Sequence, residues 1–260
     1  MIEADGGVGS ARRCDCRQRD AGPRLLEAAG IPPLYRRCTL EGFKTQASTP
    51  AEQDQLVRAV SICRSYVDEF LLEDGSFRGT GLLFVGTPGV GKTHLAAAVL
   101  SELIRRYRVR GRFVDFTALV HRIQSTFDPT SNDSKHEVLN PITHSEVLVL
   151  DELGAQKPTE WVQNTLYLIL NTRYTLRLPT LFTTNYRLEP EQPAAVSRSG
   201  HQWEHEQRRH REGGSQAGRR HLLEHRVSAG LLSRLYEMAR IVSIDTEDFR
   251  REVKMQHHAL

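Results

Sequence analysis

The chain has 260 residues, 39% of them hydrophobic and 26% charged, enough for one sizeable domain with a short extension. No apolar run approaches the roughly 20 residues that span a bilayer, and the start, MIEADGGVGSARRCDC, lacks the apolar stretch of a secretory signal, so no membrane role and a cytoplasmic location are expected. A net charge of only +3 does not mark nucleic acid as a partner, and the excess of arginine over lysine is read as genome composition rather than as a phosphate-binding surface.

Residues 1–50 read as a loosely organised N-terminal segment. Gly6, Gly7, Gly9, Pro23, Pro32 and Pro33 break it up, and a short helix near 24–29 ends at Gly30 and the proline pair. The remainder, 51–250, reads as one domain and starts with a predicted helix over 51–74. Leu56, Val60, Cys63, Val67, Phe70 and Leu71 recur there at helical spacing on one face. The pattern then changes to short apolar runs separated by helices. Strands are predicted at 82–86, 112–116, 146–150, 180–184 and 240–245. Helices are predicted at 91–107, 117–127, 158–176 and 221–239, with a loop at 128–133. Near-continuous apolar strands alternating with helices indicate an α/β fold whose parallel sheet is covered on both faces.

Residues 190–220 interrupt this order. They are rich in Glu, Gln, Arg, His, Gly and Ser, with Trp203 as the large apolar exception, and read as a disordered insertion. His201, His205 and His210 in it read as a solvated polar loop rather than a metal site. Residues 251–260 form a tail.

Gly86, Thr87, Pro88, Gly89, Val90, Gly91, Lys92 and Thr93 spell GTPGVGKT, between a predicted strand and a predicted helix. This is the phosphate-loop pattern in its required setting. Glycines let backbone N–H groups curl around phosphates, and the helix N-terminus adds partial positive charge. Lys92 supplies a point charge to the β- and γ-phosphates, and Thr93 a hydroxyl to Mg²⁺. ATP with Mg²⁺ is therefore the expected ligand pair. The strand VLVL then ends in Asp151 and Glu152. The first carboxylate suits Mg²⁺ beside Thr93, and the second suits polarising the attacking water. The pair favours transfer to water over transfer to a small molecule. Asn185 closes the fourth predicted strand and could set its amide between the γ-phosphate and that water.

In order and spacing, GTPGVGKTHLA, LVLDELG, FTTNY and SRLYEMAR, with RLLEAAGIPPLYRRCTLEGF upstream, resemble the DnaC/IstB family of AAA+ ATPases. The resemblance covers about 14–250 apart from the insertion. It implies a P-loop NTPase fold with a five-stranded parallel sheet in the order 5-1-4-3-2 and no C-terminal helical lid domain. It implies that Asn185 is sensor 1. It also implies that Arg234, in SRLYEM, is an arginine finger acting on a neighbouring subunit's ATP, and hence an ATP-dependent homo-oligomer. Val227, Leu231 and Leu235 at four-residue spacing leave Arg234 beside the apolar stripe and near the surface; Arg226 is a second candidate for the same interface. The chain departs from the family at Gly230, where a further basic residue is common. Cys14 and Cys16 resemble the second half of a zinc ribbon whose first half is absent, and zinc is not expected in this chain.

The function so implied is ATP hydrolysis coupled to single-stranded DNA. The partner is a replicative helicase, as for a helicase loader in DNA replication, or alternatively a transposase. Arg122, Gln124 and Phe127 are candidate DNA contacts, and an ordinary amphipathic helix explains 117–127 equally well. A small-molecule P-loop kinase would need an acceptor pocket and an arginine-rich lid, and neither is legible. A non-hydrolysing adaptor would not need Glu152 and Arg234.

Overall fold

A computed structural model describes residues 21–126, 134–188 and 222–249. Its centre is a five-stranded parallel sheet made of β1 (Gly81–Gly86), β2 (Gly111–Asp115), β3 (Val147–Asp151), β4 (Thr180–Thr184) and β5 (Ala239–Ile244), in the order β2-β3-β4-β1-β5. This is the expected 5-1-4-3-2 arrangement seen from the other edge. The helices are α1 (Ala21–Ala28), α2 (Pro50–Asp68), α3 (Lys92–Tyr107), α4 (Phe116–Ser125), α5 (Lys135–Thr143), α6 (Glu160–Thr175) and α7 (Ala229–Met238).

The central strands β1, β3 and β4 are buried on both faces, whereas the edge strands β2 and β5 expose Arg112, Arg240 and Ser243. Leu82, Phe84, Val149 and Ile244 pack against α2 and α3, whereas Leu83, Val85, Leu150 and Phe182 pack against α4 to α7. Each such side chain contributes about 1.5–3 kcal/mol by leaving water. Parallel strands align their C-terminal ends, so β1, β3, β4 and β5 all deliver their last residues to one edge of the sheet.

Several elements differ from the sequence reading, each for a local reason. The helix expected over 51–74 stops at Asp68. Leu71 instead bridges Phe77 across a tight turn and is 47% exposed rather than inward. The turn is fixed by Gly75 at φ 79° and by the Asp74 carboxylate, which accepts from the Ser76 N–H and hydroxyl at 2.9 and 2.6 Å. Phe70 stacks on Phe77, with ring centroids 5.0 Å apart. Phe116 opens α4 rather than closing β2, because the Asp115 carboxylate caps the helix through the Ala118 N–H at 2.9 Å.

Helix α5 is absent from the sequence reading altogether. It begins with a capping box, Ser134 and Glu137 exchanging side-chain and backbone bonds. It then buries Val138, Leu139 and Ile142 and carries Pro141 near its end. The helix expected over 221–239 is a 3₁₀ turn at Leu223–His225 followed by α7 from Ala229, which Ser228 caps. Val227, Leu231 and Leu235 are all buried as expected, although Val227 precedes the helix. Phe127, Cys14, Cys16, the 190–220 insertion and the 251–260 tail lie outside the described residues.

Candidate functional site

The phosphate loop links β1 to α3, and its backbone is what its glycines permit. Gly89 and Gly91 sit at φ 88° and 93°, a left-handed conformation that side chains disfavour. Gly91 is also packed so closely by Phe43 that an added Cβ would lie 2.5 Å from the ring. Lys92, 6% exposed, folds back so that its ammonium donates to the Thr87 carbonyl at 2.7 Å. The loop therefore already encircles a cation, and α3 presents its first N–H groups at the same point.

Across the sheet edge, the Thr93 hydroxyl donates to Asp151 Oδ1 at 3.0 Å. The Thr183 hydroxyl donates to the same oxygen at 2.5 Å. Thr183 Oγ1 also accepts from the Glu152 N–H at 3.0 Å, and its carbonyl accepts from the Leu153 N–H at 2.8 Å. Thr184 completes the clamp by donating to the Leu153 carbonyl at 2.8 Å. These bonds hold Glu152 at φ 59°, a conformation that costs a non-glycine residue of order 1–3 kcal/mol. Its side chain is turned out of the core into an exposed position.

Burial pushes the Asp151 carboxyl above its ordinary range. The hydroxyl bonds from Thr183 and Thr93 pull it back, Asp115 pushes it further up, and the Lys92 charge opposes that. Val85 pairs with Thr184, so Asn185 leaves the sheet beside Gly86. It lines a cavity of about 400 Å³ together with Thr87, Arg187 and Tyr236.

The structure thus brings together residues 86–93, Asp151, Glu152 and Asn185. The organising part of Thr183 was missed from sequence, where the only signal is a pair of threonines ending a strand. A second missed feature is a cavity of about 250 Å³ on the other side of the loop. Its walls are Phe43 and Lys44 from the N-terminal segment, Gly89, Gly91 and His94 from the loop and α3, and Thr246 and Phe249 after β5. His94 pins this wall through its Nε2 contact with the Thr39 carbonyl at 3.0 Å and its edge-on contact with Phe43. The upstream stretch RLLEAAGIPPLYRRCTLEGF carried the resemblance but gave no sign of a cavity wall.

Arg234 stands apart from this cluster. Its guanidinium lies on the ring of Tyr167 in α6, 4.6 Å from the centroid, and it is half-buried. Arg226 is not on the helix that carries Arg234. Its guanidinium donates to the carbonyls of Gly154, Ala155 and Gln156 at 2.7, 2.9 and 3.1 Å and covers Tyr186, so it pins the loop after β3 rather than serving an interface. Arg122 and Gln124 are exposed on α4.

The residues fit a nucleoside triphosphate with Mg²⁺. The loop offers a glycine cradle, a buried ammonium and a helix start. Thr93 and Asp151 offer one hydroxyl and one carboxylate, a sparse oxygen set of the kind Mg²⁺ takes beside phosphates. Among the described residues no cluster of three or more His, Cys, Asp or Glu could hold another metal. No described helix is long and apolar enough to cross a membrane.

Comparison with known proteins agrees with this architecture. Residues 74–192 match the family described as IstB-like ATP binding protein. The replicative helicase loader DnaC of Escherichia coli K12 is 30% identical over 169 residues, 64% of this chain and 62% of that protein. The DnaC of Buchnera aphidicola subsp. Schizaphis graminum is 28% identical over 165 residues, 62% of this chain and 61% of that protein. The chain thus matches somewhat under two thirds of these relatives' length. The crystal structure of the DnaC helicase loader superposes with a TM-score of 0.59 at 28% identity, covering 82% of this chain and 99% of that one. DnaI, at 22% identity and a TM-score of 0.56, shares the fold. Sequence and sheet order converge, and over its matched region the chain is similar to the DnaC/IstB-like AAA+ ATPases.

Proposed function

We propose that this protein binds and hydrolyses Mg-ATP as a helicase-loading ATPase acting on DNA. The observation that carries the reading is the junction of the glycine loop with the Asp151–Thr183–Glu152 clamp at one sheet edge. Lys92 would give up the Thr87 carbonyl for the β- and γ-phosphates, and residues 86–93 would wrap them with N–H groups. Thr93 and Asp151 would hold Mg²⁺, which screens the phosphate charge. Glu152 would accept a proton from the attacking water, with Asn185 orienting that water against the γ-phosphate. The cavity edged by Phe43, His94 and Phe249 is the place for the base, where aromatic rings can stack on it.

Arg234 would act on the nucleotide of a neighbouring copy, which makes the protein an ATP-dependent homo-oligomer of the cytoplasm. Single-stranded DNA would contact Arg122 and Phe127. The similarity to proteins named replicative helicase loader supports a replicative helicase as partner. The match to the IstB-like family favours a second reading, in which the partner is a transposase.

The test is ATP binding and phosphate release by the full chain, with and without single-stranded DNA. Lys92→Ala should weaken binding about 10- to 100-fold, the equivalent of one charge-assisted hydrogen bond or two. Glu152→Gln should bind ATP normally and turn over roughly 100-fold more slowly. Hydrolysis by Glu152→Gln at the wild-type rate would overturn the assignment. Turnover that depends on a small metabolite and ignores DNA would point to a kinase instead.

A further inference from the structure

Arg234 is the residue whose placement is least compatible with its proposed part. A finger must present its guanidinium N–H groups to another subunit. Here Nη2 donates to the Tyr167 hydroxyl at 3.3 Å, and the plane rests on the Tyr167 ring at 4.6 Å. Nη1 is closed off from solvent and has no acceptor. The nearest acid on the same helix, Glu237, does not supply one: it accepts from the Tyr174 hydroxyl at 2.8 Å, one helix over. The guanidinium is therefore drawn back on α6 and bears an unmet donor while it stays there.

We infer that Tyr167 is a positioning residue that stows Arg234 in the isolated subunit and releases it when a second copy of the chain docks on this face. The inference rests on the reading of Arg234 as an arginine finger. The physical case is one of balance. Stacking of a cation on a half-exposed ring and one long hydrogen bond hold the arginine in. The buried, unsatisfied Nη1 opposes them with a penalty of similar size. A clasp so nearly balanced opens for a modest gain, and a phosphate acceptor on a neighbouring copy would satisfy the donor that the stowed state leaves unmet. Tyr167 is 46% exposed and Tyr174 42%, so an incoming copy can reach the clasp without unfolding anything.

The experiment measures Mg-ATP turnover by the full chain as a function of protein concentration. With Tyr167→Ala, the concentration giving half-maximal turnover should fall about 2- to 5-fold, the factor a half-exposed cation–π contact corresponds to. The maximal rate should not change, because the clasp is already open in the assembled state. Tyr167→Phe keeps the ring and loses the hydroxyl, so it should fall between wild type and Tyr167→Ala. An unchanged or raised midpoint in both variants overturns the stowing role, and so does a lowered maximal rate. Arg234→Ala is the control that separates the two ideas. If it keeps full activity, the finger reading is wrong. If it is inactive while Tyr167→Ala behaves like wild type, the finger stands and the clasp does not.

Discussion

Thr183 shows how much a single hydroxyl group organises. It donates to Asp151, and its oxygen accepts from the Glu152 N–H. The metal-holding and water-polarising candidates therefore share one anchor on the neighbouring strand. Thr183→Val keeps the shape of the side chain and removes the hydroxyl. It strands a buried carboxylate lone pair and the N–H of a residue at positive φ, at a cost of about 1–3 kcal/mol for each unpaired group. ATP affinity, set mainly by the loop and Lys92, should stay within a few-fold of wild type. Turnover should drop by roughly 10-fold or more as Glu152 loses its fixed aim. Steady-state kinetics would show this as a fall in kcat with KM nearly constant. A pure KM effect would mean that Thr183 serves the loop instead. The sequence named Asp151 and Glu152 from their place at a strand end. It could not name Thr183, because that role exists only once β4 lies beside β3.

At the scale of elements, α5 and α6 are joined by an arginine that the sequence reading passed over. Arg173 is fully buried and donates to the carbonyls of Ile142, Ser145 and Pro179 at 3.0, 2.8 and 2.8 Å and to the Thr180 hydroxyl at 2.8 Å. It thereby satisfies the open carbonyls at the end of α5 and ties them to the start of β4. Burial pushes its guanidinium down to about 9, with Tyr66 opposing. A base whose folded value is depressed costs stability while it is charged, and that cost is relieved only as pH rises above about 9. Between pH 6 and 8 the group stays protonated in folded and unfolded chains alike.

Arg173→Met should therefore lower stability by about 3 kcal/mol or more, through stranded carbonyls. The Tm difference from wild type should be flat across pH 6–8. Melting curves at several pH values check both statements; a difference that grows within that window would show another group in control. Strands were legible because each carries a short run of apolar or β-branched residues, near-continuous in the buried β1 and β3. Helix α5 was not, since Pro141 and the polar Lys135–Glu137 start hide its three buried apolar residues. Its one sequence signal was Ser134 followed three residues later by Glu137. The early end of α2 was hidden for the opposite reason: Phe70 and Leu71 continue the helical spacing while the Asp74–Gly75 turn removes them from the helix.

The whole molecule is where the proposed finger is decided. Arg234→Ala should bind ATP as wild type does and lose turnover, by a factor of order 10³ where a finger is fully engaged. Mixing it with Lys92→Ala should restore part of the activity, because one neighbour brings an intact loop and the other an intact arginine. Phosphate release from the mixture, with co-assembly verified by sedimentation, is the measurement. No recovery in a co-assembled mixture would rule out action between subunits.

The cavity beside the loop has a consequence of another kind. Besides the loop and α3, its walls come from two segments far apart in sequence, 42–48 and 246–249. The Ser48 hydroxyl reaches Glu247 at 3.5 Å across 199 positions, and Lys44 sits over Phe249 at 5.1 Å. A nucleotide held there would act as a clip between these two segments. It would raise unfolding free energy by RT ln(1 + [ATP]/Kd), about 2.7 kcal/mol at a hundredfold excess over Kd. Proteolysis near residue 46 and near residue 247 should slow together as ATP is added, so that protection of one segment reports on occupancy at the other.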